Sequence, residues 1–347
     1  MKNDELKAKS FVAGAACQAP NVSWIVTWIV ASVLFFTLLA VVEPIWRSLG
    51  YRPSAVDSPA LRKFWYECAV SGGSRTMVFI GASRIQAGIS LTAMRQRLPH
   101  YRVVQLGQFS DGRPIGVLQS LANDDRFSGI VVCDTLEPFL FRAYWGDQRR
   151  PYGHHAPISE LGESYASAYV RDLLAVANTK TGIFAASKLF LKQGKAARPD
   201  YVRMHADRSI ELDFRLVDDL ERLREMSLAS FRMRYDALVN PAPVELDRDL
   251  KEINLAVSRI QDRGGQVVFL RMPSSGARLE LEEEYHPKAK YWDRFAAISS
   301  GICIHWSELR NALEWKCPDD SHLDCSEAVA FTDALVDELA RRQSIEF

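Results

Sequence analysis

The sequence lacks an excess of charge of either sign. Its 43 basic and 43 acidic side chains give a formal net charge of zero over 347 residues. Nucleic-acid-binding proteins usually carry a basic patch that neutralises phosphates, so this balance gives no indication of a nucleic-acid partner. The longest run of one charge is Glu282-Glu283-Glu284, which we interpret as a solvated helix face.

Metal and phosphate motifs are also missing. No C-x-x-C or H-x-x-x-H pair occurs in the chain. Gly153-His154-His155 has no third ligand at a recognisable spacing, so we interpret it as a loop. Gly72-Gly73 is not followed by the G-K-[ST] of a phosphate-binding loop. We therefore predict neither a metal nor a cofactor.

Cysteine is scarce, with six residues in the chain. Cys17 precedes the long apolar run described below, whereas Cys317 and Cys325 flank the late segment CPDDSHLDC. In an exported domain these two cysteines could form a disulfide around that loop. Two free thiols are the alternative, and the sequence leaves both open.

What the sequence does contain is one long apolar run. Trp24–Val42 comprises nineteen residues without a charge. At 1.5 Å per residue, such a helix nearly spans a hydrocarbon core of about 30 Å. Trp24, Trp28 and Trp46 lie near its ends, where indole rings favour the headgroup region. Glu43-Pro44 is predicted to end the helix.

A cleaved signal peptide is the alternative interpretation of this run. The run is longer than a usual signal-peptide core, and no A-x-A cleavage site follows it. We therefore predict a retained transmembrane helix over residues 24–43, preceded by a segment 1–23 and followed by a linker 44–60.

Charges beside the run indicate its orientation. Lys2, Lys7 and Lys9 precede it, whereas Arg47 and Arg52 follow it closely. This bias favours a cytoplasmic N-terminus. The expectation is a single-pass protein of the inner (cytoplasmic) membrane with an extracytoplasmic, periplasmic C-terminal domain.

The remaining chain alternates between strand and helix patterns. Short apolar runs separated by helical segments are typical of a parallel sheet covered on both faces. We predict a three-layer α/β domain over residues 61–347. Its five strands are predicted at 76–81, 102–107, 129–135, 266–273 and 302–306, and its helices at 61–70, 91–98, 114–124, 250–263, 289–299 and 326–342, the last with Ser326 as N-cap.

A long insertion separates the third strand from the fourth. Residues 137–243 are predicted to be mostly helical, with helices at 159–178, 181–193 and 216–238. An insertion that follows a strand is expected over the carboxyl edge of the sheet. Ligands bind at that edge in open α/β sheets.

One serine stands at the end of a predicted strand. In VFIGASRIQAGI, residues 78–89, Ser83 follows an apolar strand. Serine is a weak nucleophile, so it needs a base that a third group orients. His322 lies in the loop after the last strand, three residues beyond Asp319, and such a loop can return to the same edge. We predict a Ser83–His322–Asp319 triad, with Asp320 as a competing orienting carboxylate.

These motifs resemble two blocks of the SGNH/GDSL hydrolase superfamily. Gly81-Ala82-Ser83 is similar to its first block, and Asp319-Asp320-Ser321-His322 is similar to its last. FIGASRIQAGI, RMPSSGARLELEEEYHPKAKYW and DDSHLDCSEAVAFTDALVDEL resemble segments of its membrane-anchored, polysaccharide-modifying branch. That branch includes the alginate O-acetylation proteins and the DltD-like proteins of teichoic-acid D-alanylation. The resemblance does not cover the insertion.

The resemblance implies a role for each matching residue. Ser83 matches the nucleophile, His322 the general base and Asp319 its orienting acid. Gly107 in VVQLGQ matches the second-block glycine, whose N–H joins that of Ser83 in the oxyanion hole. Pocket candidates that would bind a carboxylate or sugar are Arg84, Gln108, Arg271 and Asp320; the alternative for the two arginines is a surface position.

The third block departs from the family pattern. The superfamily usually has G-x-N-D after the third strand, with the asparagine as another oxyanion donor. Here that place reads VVCDTLEP, without asparagine. Gln105, Gln108 and Asn123 are the amides that could replace it. Ala82 stands where Asp or Ser is common, which matters little for the mechanism.

The resemblance also implies an activity. It indicates an SGNH-like (flavodoxin-like) enzyme that transfers or removes an acyl group, chiefly acetyl, on an extracytoplasmic polysaccharide through an acyl-enzyme at Ser83. Its implied partner is a multi-pass membrane O-acyltransferase. A catalytically inactive glycan-binding or scaffold module is an alternative, favoured by the missing asparagine and the insertion. A lipase or esterase for soluble substrates is a third, against which the anchor argues.

Overall fold

The computed structural model describes residues 23–109, 113–145, 157–194, 196, 198–237, 243–343 and 345. The chain divides into two units, residues 1–46 and 47–347. Three features singled out above lie outside the described residues, namely Cys17, the three N-terminal lysines and Gly153-His154-His155.

One long helix, α1 (Trp24–Ser48), forms the described N-terminal part. It has 25 residues, its mean hydropathy reaches 2.6, and none of its residues is buried. It is therefore long and apolar enough to cross a membrane. The prediction that Glu43-Pro44 ends the helix is wrong, because α1 continues through Pro44 to Ser48. A proline removes one backbone hydrogen bond, and apolar helices of this kind often tolerate that loss.

The rest of the chain is an α/β fold around one parallel sheet. Its strands are β1 (Thr76–Ile80), β2 (Arg102–Gln105), β3 (Ile130–Asp134), β4 (Val202–Met204), β5 (Ile210–Leu212), β6 (Gln266–Arg271) and β7 (Ile302–His305). Five of them pair in parallel in the order β2-β1-β3-β6-β7, whereas β4 and β5 form a separate antiparallel hairpin. The predicted parallel five-stranded sheet is confirmed.

Helices cover both faces of the sheet. They are α2 (Pro59–Val70), α3 (Ser83–Gly88), α4 (Leu91–Arg97), α5 (Pro114–Ala122), α6 (Ile158–Leu173), α7 (Ile183–Gln193), α8 (Leu220–Ala237), α9 (Pro243–Gln261), α10 (Gly276–Tyr285), α11 (Trp292–Ile298) and α12 (Cys325–Arg341). The core on one face of the sheet includes side chains of α2, α5, α9 and α11. The core on the other face includes side chains of α3, α4 and α12.

The strand order locates a crevice at the carboxyl edge of the sheet. From β1 the chain moves outward to β2, and it then returns past β1 to form β3. Since these two connections leave in opposite directions, the carboxyl ends of β1 and β3 border an opening between them. In open α/β sheets this switch point is the usual position of a ligand.

The insertion contains its predicted helices and one hairpin that the sequence did not indicate. The helices are α6, α7 and α8, and the hairpin pairs β4 with β5. Strands of three residues are too short to show an alternating pattern. The hairpin also binds the predicted linker, because the Ala55 N–H donates to the Met204 carbonyl at 2.8 Å. Arg208 and Arg224 donate to carbonyls in the loops that follow β2 and β7, so these parts of the insertion lie at the carboxyl edge of the sheet, where the insertion is predicted.

The domain carries its own hydrophobic cores. The three main clusters of buried apolar side chains use residues between Ala55 and Ile345. None of them includes a residue of α1. We therefore expect a polypeptide that starts at Arg47 to fold without the apolar helix.

Candidate active site

The corner after β1 requires a glycine. Gly81 has φ of +151°, and an added Cβ would lie 2.7 Å from the Asp134 Cβ and 2.8 Å from the Ile85 Cγ2. A side chain therefore does not fit there. The turn places Ser83 in the first position of α3. The first N–H groups of a helix have no partner within it, so they point out of the corner.

A serine, a histidine and a carboxylate meet at this corner. The His322 Nε2 lies 2.8 Å from the Ser83 Oγ, and the His322 Nδ1 lies 2.8 Å from the Asp319 Oδ2. Ser83 begins α3, whereas the other two residues lie in the loop between β7 and α12. The fold thus brings together the three residues that the sequence predicts as a triad.

Hydrogen-bonding capacity sets the direction of this relay. An ionised carboxylate only accepts, so the His322 Nδ1–H donates to Asp319 and its Nε2 accepts from the Ser83 hydroxyl. The Asp319 Oδ1 also accepts from the N–H groups of Ser321 and His322, at 3.0 and 2.7 Å. Burial raises the pKa of Asp319, but the hydrogen bonds from His322 and from these two N–H groups outweigh burial and keep that pKa below its ordinary value.

The Gly107 N–H, which is predicted to donate to the oxyanion, has a partner within the protein. Its N–H donates to the Gln105 Oε1 at 2.7 Å, and the residue is buried. An added Cβ at Gly107 would lie 2.8 Å from that same oxygen and 3.1 Å from the Ile85 Cγ2, which shows how closely the loop is packed. The N–H of Ser83 itself donates to no described residue. It is therefore the available donor at this corner.

The three amides that could replace the missing asparagine have different surroundings. The Gln105 side chain is fully engaged, since its Nε2 donates to the Ile85 carbonyl at 3.2 Å. Asn123 caps α5 at the opposite, amino edge of the sheet and accepts from Arg259. Gln108 is half-buried, and its N–H donates to the Gly81 carbonyl at 2.9 Å. Of the three, only Gln108 lies beside the corner with its side-chain amide unused by described residues.

The two arginines predicted to line a pocket or the surface are buried in an ion cluster. Arg84 and Arg271 are each 3% exposed. The Glu282 carboxylate accepts from the Arg84 Nη2 at 2.5 Å, from the Arg271 Nη2 at 2.7 Å and from the Arg278 Nε at 2.7 Å. Arg271 also pairs with Glu137 at 2.9 Å. Both predicted positions are wrong, and Glu282 does not belong to a solvated face.

This ion cluster contacts the chain beside the triad. The Arg84 Nε lies 3.4 Å from the Ser321 Oγ. Arg84 follows the serine of the triad in sequence, and Ser321 precedes its histidine. The cluster therefore links the two chain segments that carry the relay. The sequence cannot predict this link, because the charged groups are buried only when separate segments of the chain pack together.

Asp134 lies at the end of β3, against the glycine corner. It is fully buried, and neither of its carboxylate oxygens has a hydrogen-bond partner of good geometry. Burial raises the pKa of Asp134 to about 6, although Arg84, Arg271 and the Met272 N–H oppose that rise. A buried carboxyl group of this kind is held partly protonated near neutral pH.

Asp134→Asn is expected to change how stability depends on pH. An unfolded aspartate has a pKa of about 3.9, so between about pH 4 and 6 the native state binds more protons. Stability is then lost as the pH rises through this window, by roughly 3 kcal/mol. Urea unfolding should find the variant similar to wild type at pH 4 and about 1–3 kcal/mol more stable at pH 8. Parallel pH profiles for the two proteins would contradict this prediction.

Two further residues border the relay. Asp320 has φ of +65°, and its Oδ1 lies 4.0 Å from the Arg224 Nε, so it pairs with the insertion and does not orient His322. Phe109 is 41% exposed, and its ring lies nearly parallel to the imidazole of His322 with 6.4 Å between the ring centres. Phe109 therefore presents an exposed aromatic face beside the base.

Arg208, which no sequence motif singles out, holds the loop after β2. It is fully buried at a φ of +68° in the turn of the β4–β5 hairpin. Its Nη1 and Nη2 donate to the carbonyls of Gln105 and Gly107, both at 2.9 Å, and its Nε pairs with Asp57 at 3.0 Å. Gln86 in α3 donates to its carbonyl. No local signal distinguishes this arginine from a surface residue.

The late cysteines are not linked. Cys317 and Cys325 are free thiols, so the alternative without a disulfide is the one present. Cys325 also lies near Asp213 and Asp324, within reach of one metal ion. Both carboxylates already have partners, because Asp213 pairs with Arg215 and Asp324 accepts from the Ser326 N–H. The latter contact makes Asp324 the N-cap of α12, so the prediction of Ser326 as N-cap is wrong.

The arrangement has the groups that nucleophilic acyl chemistry requires. A hydroxyl hydrogen-bonded to an imidazole, which a buried carboxylate orients, is the constellation that activates serine in unrelated folds. Comparison of the chain with family models and with curated proteins finds no match. A function is therefore inferred from the geometry at Ser83, His322 and Asp319.

Proposed function

We propose that the protein is a membrane-anchored, SGNH-type serine acyltransferase or esterase. Its substrate would be an O-acyl, chiefly O-acetyl, group of an extracytoplasmic polysaccharide. The observation that carries the proposal is the continuous relay from the Ser83 Oγ through His322 to Asp319, with both links at 2.8 Å. Its position at the β1–β3 switch point supports the same conclusion.

The proposed reaction proceeds in two balanced steps. The Ser83 Oγ attacks the acyl carbonyl while its proton moves to the His322 Nε2. The tetrahedral intermediate then collapses, the imidazolium protonates the departing oxygen, and the acyl group remains on Ser83 as an ester. A sugar hydroxyl or water repeats the sequence with His322 as base, which releases the acyl product and restores the serine.

Stabilisation of the oxyanion would come from two donors. The Ser83 N–H at the start of α3 is the first, and the Gln108 side-chain amide is our candidate for the second. Preorganised donors of this type lower the barrier by about 3–4 kcal/mol each in other acyl-transfer enzymes. The partner in this proposal is a multi-pass membrane O-acyltransferase that supplies acyl groups across the inner membrane, with the SGNH-like domain on the periplasmic side.

One observation favours the second candidate function, a catalytically inactive glycan-binding or scaffold module. The N–H of Gly107 is occupied by Gln105, which removes one expected oxyanion donor. Such a module would keep the fold and the aromatic surface at Phe109 but would not form an acyl-enzyme.

Covalent labelling and turnover together test the enzyme proposal. In the domain that starts at Arg47, a fluorophosphonate probe should label Ser83, and p-nitrophenyl acetate should be hydrolysed. Ser83→Ala should abolish labelling, and Ser83→Ala and His322→Ala should each lower turnover by roughly 10³-fold or more. His100→Ala changes an exposed histidine and should match the wild type.

One outcome rejects the enzyme, and a second measurement distinguishes acyl transfer from hydrolysis. Equal background hydrolysis in all variants, without labelling at Ser83, would reject the enzyme and leave the scaffold. If the wild type is active, addition of an acetyl-accepting oligosaccharide distinguishes transfer from hydrolysis, because only transfer yields an acetylated sugar in the mass spectrum.

A further inference from the structure

Helix α7 has an apolar face that the described part of the chain leaves exposed. Phe184 is 87% exposed, Leu191 85% and Phe190 61%, whereas Ala186 is the one buried residue of the helix. Phe184 and Leu191 are seven positions apart, so they lie one above the other on the same side of the helix. A contiguous exposed patch of large apolar side chains usually marks a site that binds a protein, a membrane or a ligand.

The sequence around this face is basic. The 27 residues between Asp172 and Asp200 contain five lysines or arginines and no acidic residue, although Lys180 and Arg198 pair with Asp200 and Asp218. Lys188 and Lys192 belong to α7 and are exposed. Lys188 follows Phe184 by four positions, so it lies beside the apolar stripe. An apolar stripe bordered by lysines is typical of helices that lie in the plane of an anionic membrane surface.

The segment that carries α7 is tied to the start of the domain. Before the helix, the Asn178 Nδ2 donates to the Arg52 carbonyl at 2.8 Å, and after it the Arg52 Nη2 donates to the Asp200 carbonyl at 3.3 Å. The Arg47 Nη2 donates to the Leu173 carbonyl at 2.6 Å.

These tethers join the α7 segment to the part of the chain that follows α1 in sequence. Arg52 comes six residues after Trp46, the last residue of the apolar N-terminal unit. Six residues span at most about 20 Å. If α1 crosses the membrane, Arg52 lies within that distance of its end, and both ends of the α7 segment are bonded to Arg52.

We propose that α7 is a membrane-interface helix. Phe184, Phe190 and Leu191 insert between lipid headgroups, and the lysines contact anionic lipid phosphates. The proposal rests on the anchor in the proposed function but not on the triad. It gives the domain a second attachment to the bilayer, which restricts its rotation about the chain that follows α1.

Photocrosslinking in the full chain tests the position of the helix. The protein is reconstituted into nanodiscs of equal parts phosphatidylcholine and phosphatidylglycerol, with p-benzoylphenylalanine in place of Phe184 or Leu191. Lipid adducts are expected at both positions. The matched controls are Met226 and Met233 on α8, which are 61% and 69% exposed and should give no adducts. Equal adducts on both helices, or none on α7, would overturn the proposal.

Vesicle flotation of the domain that starts at Arg47 tests the energetics. Phe184→Ser with Leu191→Ser should weaken binding to vesicles of the same lipids at least tenfold, since two large apolar side chains no longer leave water. Lys188→Gln with Lys192→Gln should weaken it by roughly fivefold per lysine. Met226→Ser with Met233→Ser should bind like the wild type. Unchanged binding of the α7 variants, or no binding by the wild-type domain, would contradict the proposal.

Two controls separate this inference from the proposed function. Ser83→Ala should bind vesicles as the wild type does, so loss of activity leaves the test intact. Extraction of the full chain from membranes at alkaline pH reports on α1 independently. Release of the full chain by that treatment would refute the anchor itself.

Discussion

Asp319→Asn is expected to lower kcat for ester hydrolysis by about 10⁴-fold, as the same exchange does in other serine triads. In the wild type the Asp319 carboxylate accepts from the His322 Nδ1–H. In the variant the asparagine amide donates to Nδ1 instead, so the ring proton moves to Nε2. An Nε2–H cannot accept from the Ser83 hydroxyl. The measurement is kcat for p-nitrophenyl acetate, together with nitrogen NMR of the imidazole to detect the change of tautomer.

Asp320→Asn is the matched control for this prediction. Asp320 is adjacent in sequence, but it pairs with Arg224 at 4.0 Å instead of His322. Its kcat should stay within about twofold of the wild type. A large loss in Asp320→Asn without one in Asp319→Asn would mean that the carboxylate at 2.8 Å from His322 is not the orienting group.

Glu282→Gln should destabilise the domain by about 3–5 kcal/mol. The carboxylate accepts from three arginines and from the Ser274 Oγ at 2.7 Å. Burial raises its pKa, but Arg84, Arg271 and Arg278 outweigh burial and hold the pKa of Glu282 well below its ordinary value. A neutral amide would leave buried guanidinium charges without compensation. Urea unfolding monitored by tryptophan fluorescence measures the loss.

Glu284→Gln provides the comparison on the same helix. Glu284 is exposed, so its replacement should change the free energy of unfolding by less than about 0.5 kcal/mol. A loss below about 1 kcal/mol for Glu282→Gln would show that the cluster is hydrated enough to accept a neutral partner. Since Arg84 contacts Ser321 beside His322, the same variant should also lower kcat.

Much of the fold was predictable because buried parallel strands are continuous apolar runs. TMVFI in β1 and IVVCD in β3 are buried at every position, and their apolar character alone predicts both strands. Strands of three residues are too short to show a pattern, so the sequence does not predict the hairpin of β4 and β5. The predicted end of α1 is wrong because a proline weakens a helix without always ending it.

The triad was predictable because half of its geometry is local. Asp319 and His322 are three residues apart within one turn, so their pairing needs no distant partner. Ser83 required a further step, namely that the loops after β1 and β7 reach the same edge of the sheet. The sequence does not show that the Gln105 side chain, two residues away, accepts from the Gly107 N–H.

The sequence by itself determined the apolar helix, the α/β class and the pairing of an aspartate with a histidine, since each depends on periodicity or on neighbours within one turn. Only the tertiary structure decided which charges are buried. Arg84 and Glu282 are separated by 198 residues in the chain, and the sequence around each of them is no different from that around a surface ion. Whether a charged side chain is buried depends on how separate segments pack together, so a local sequence pattern cannot predict it.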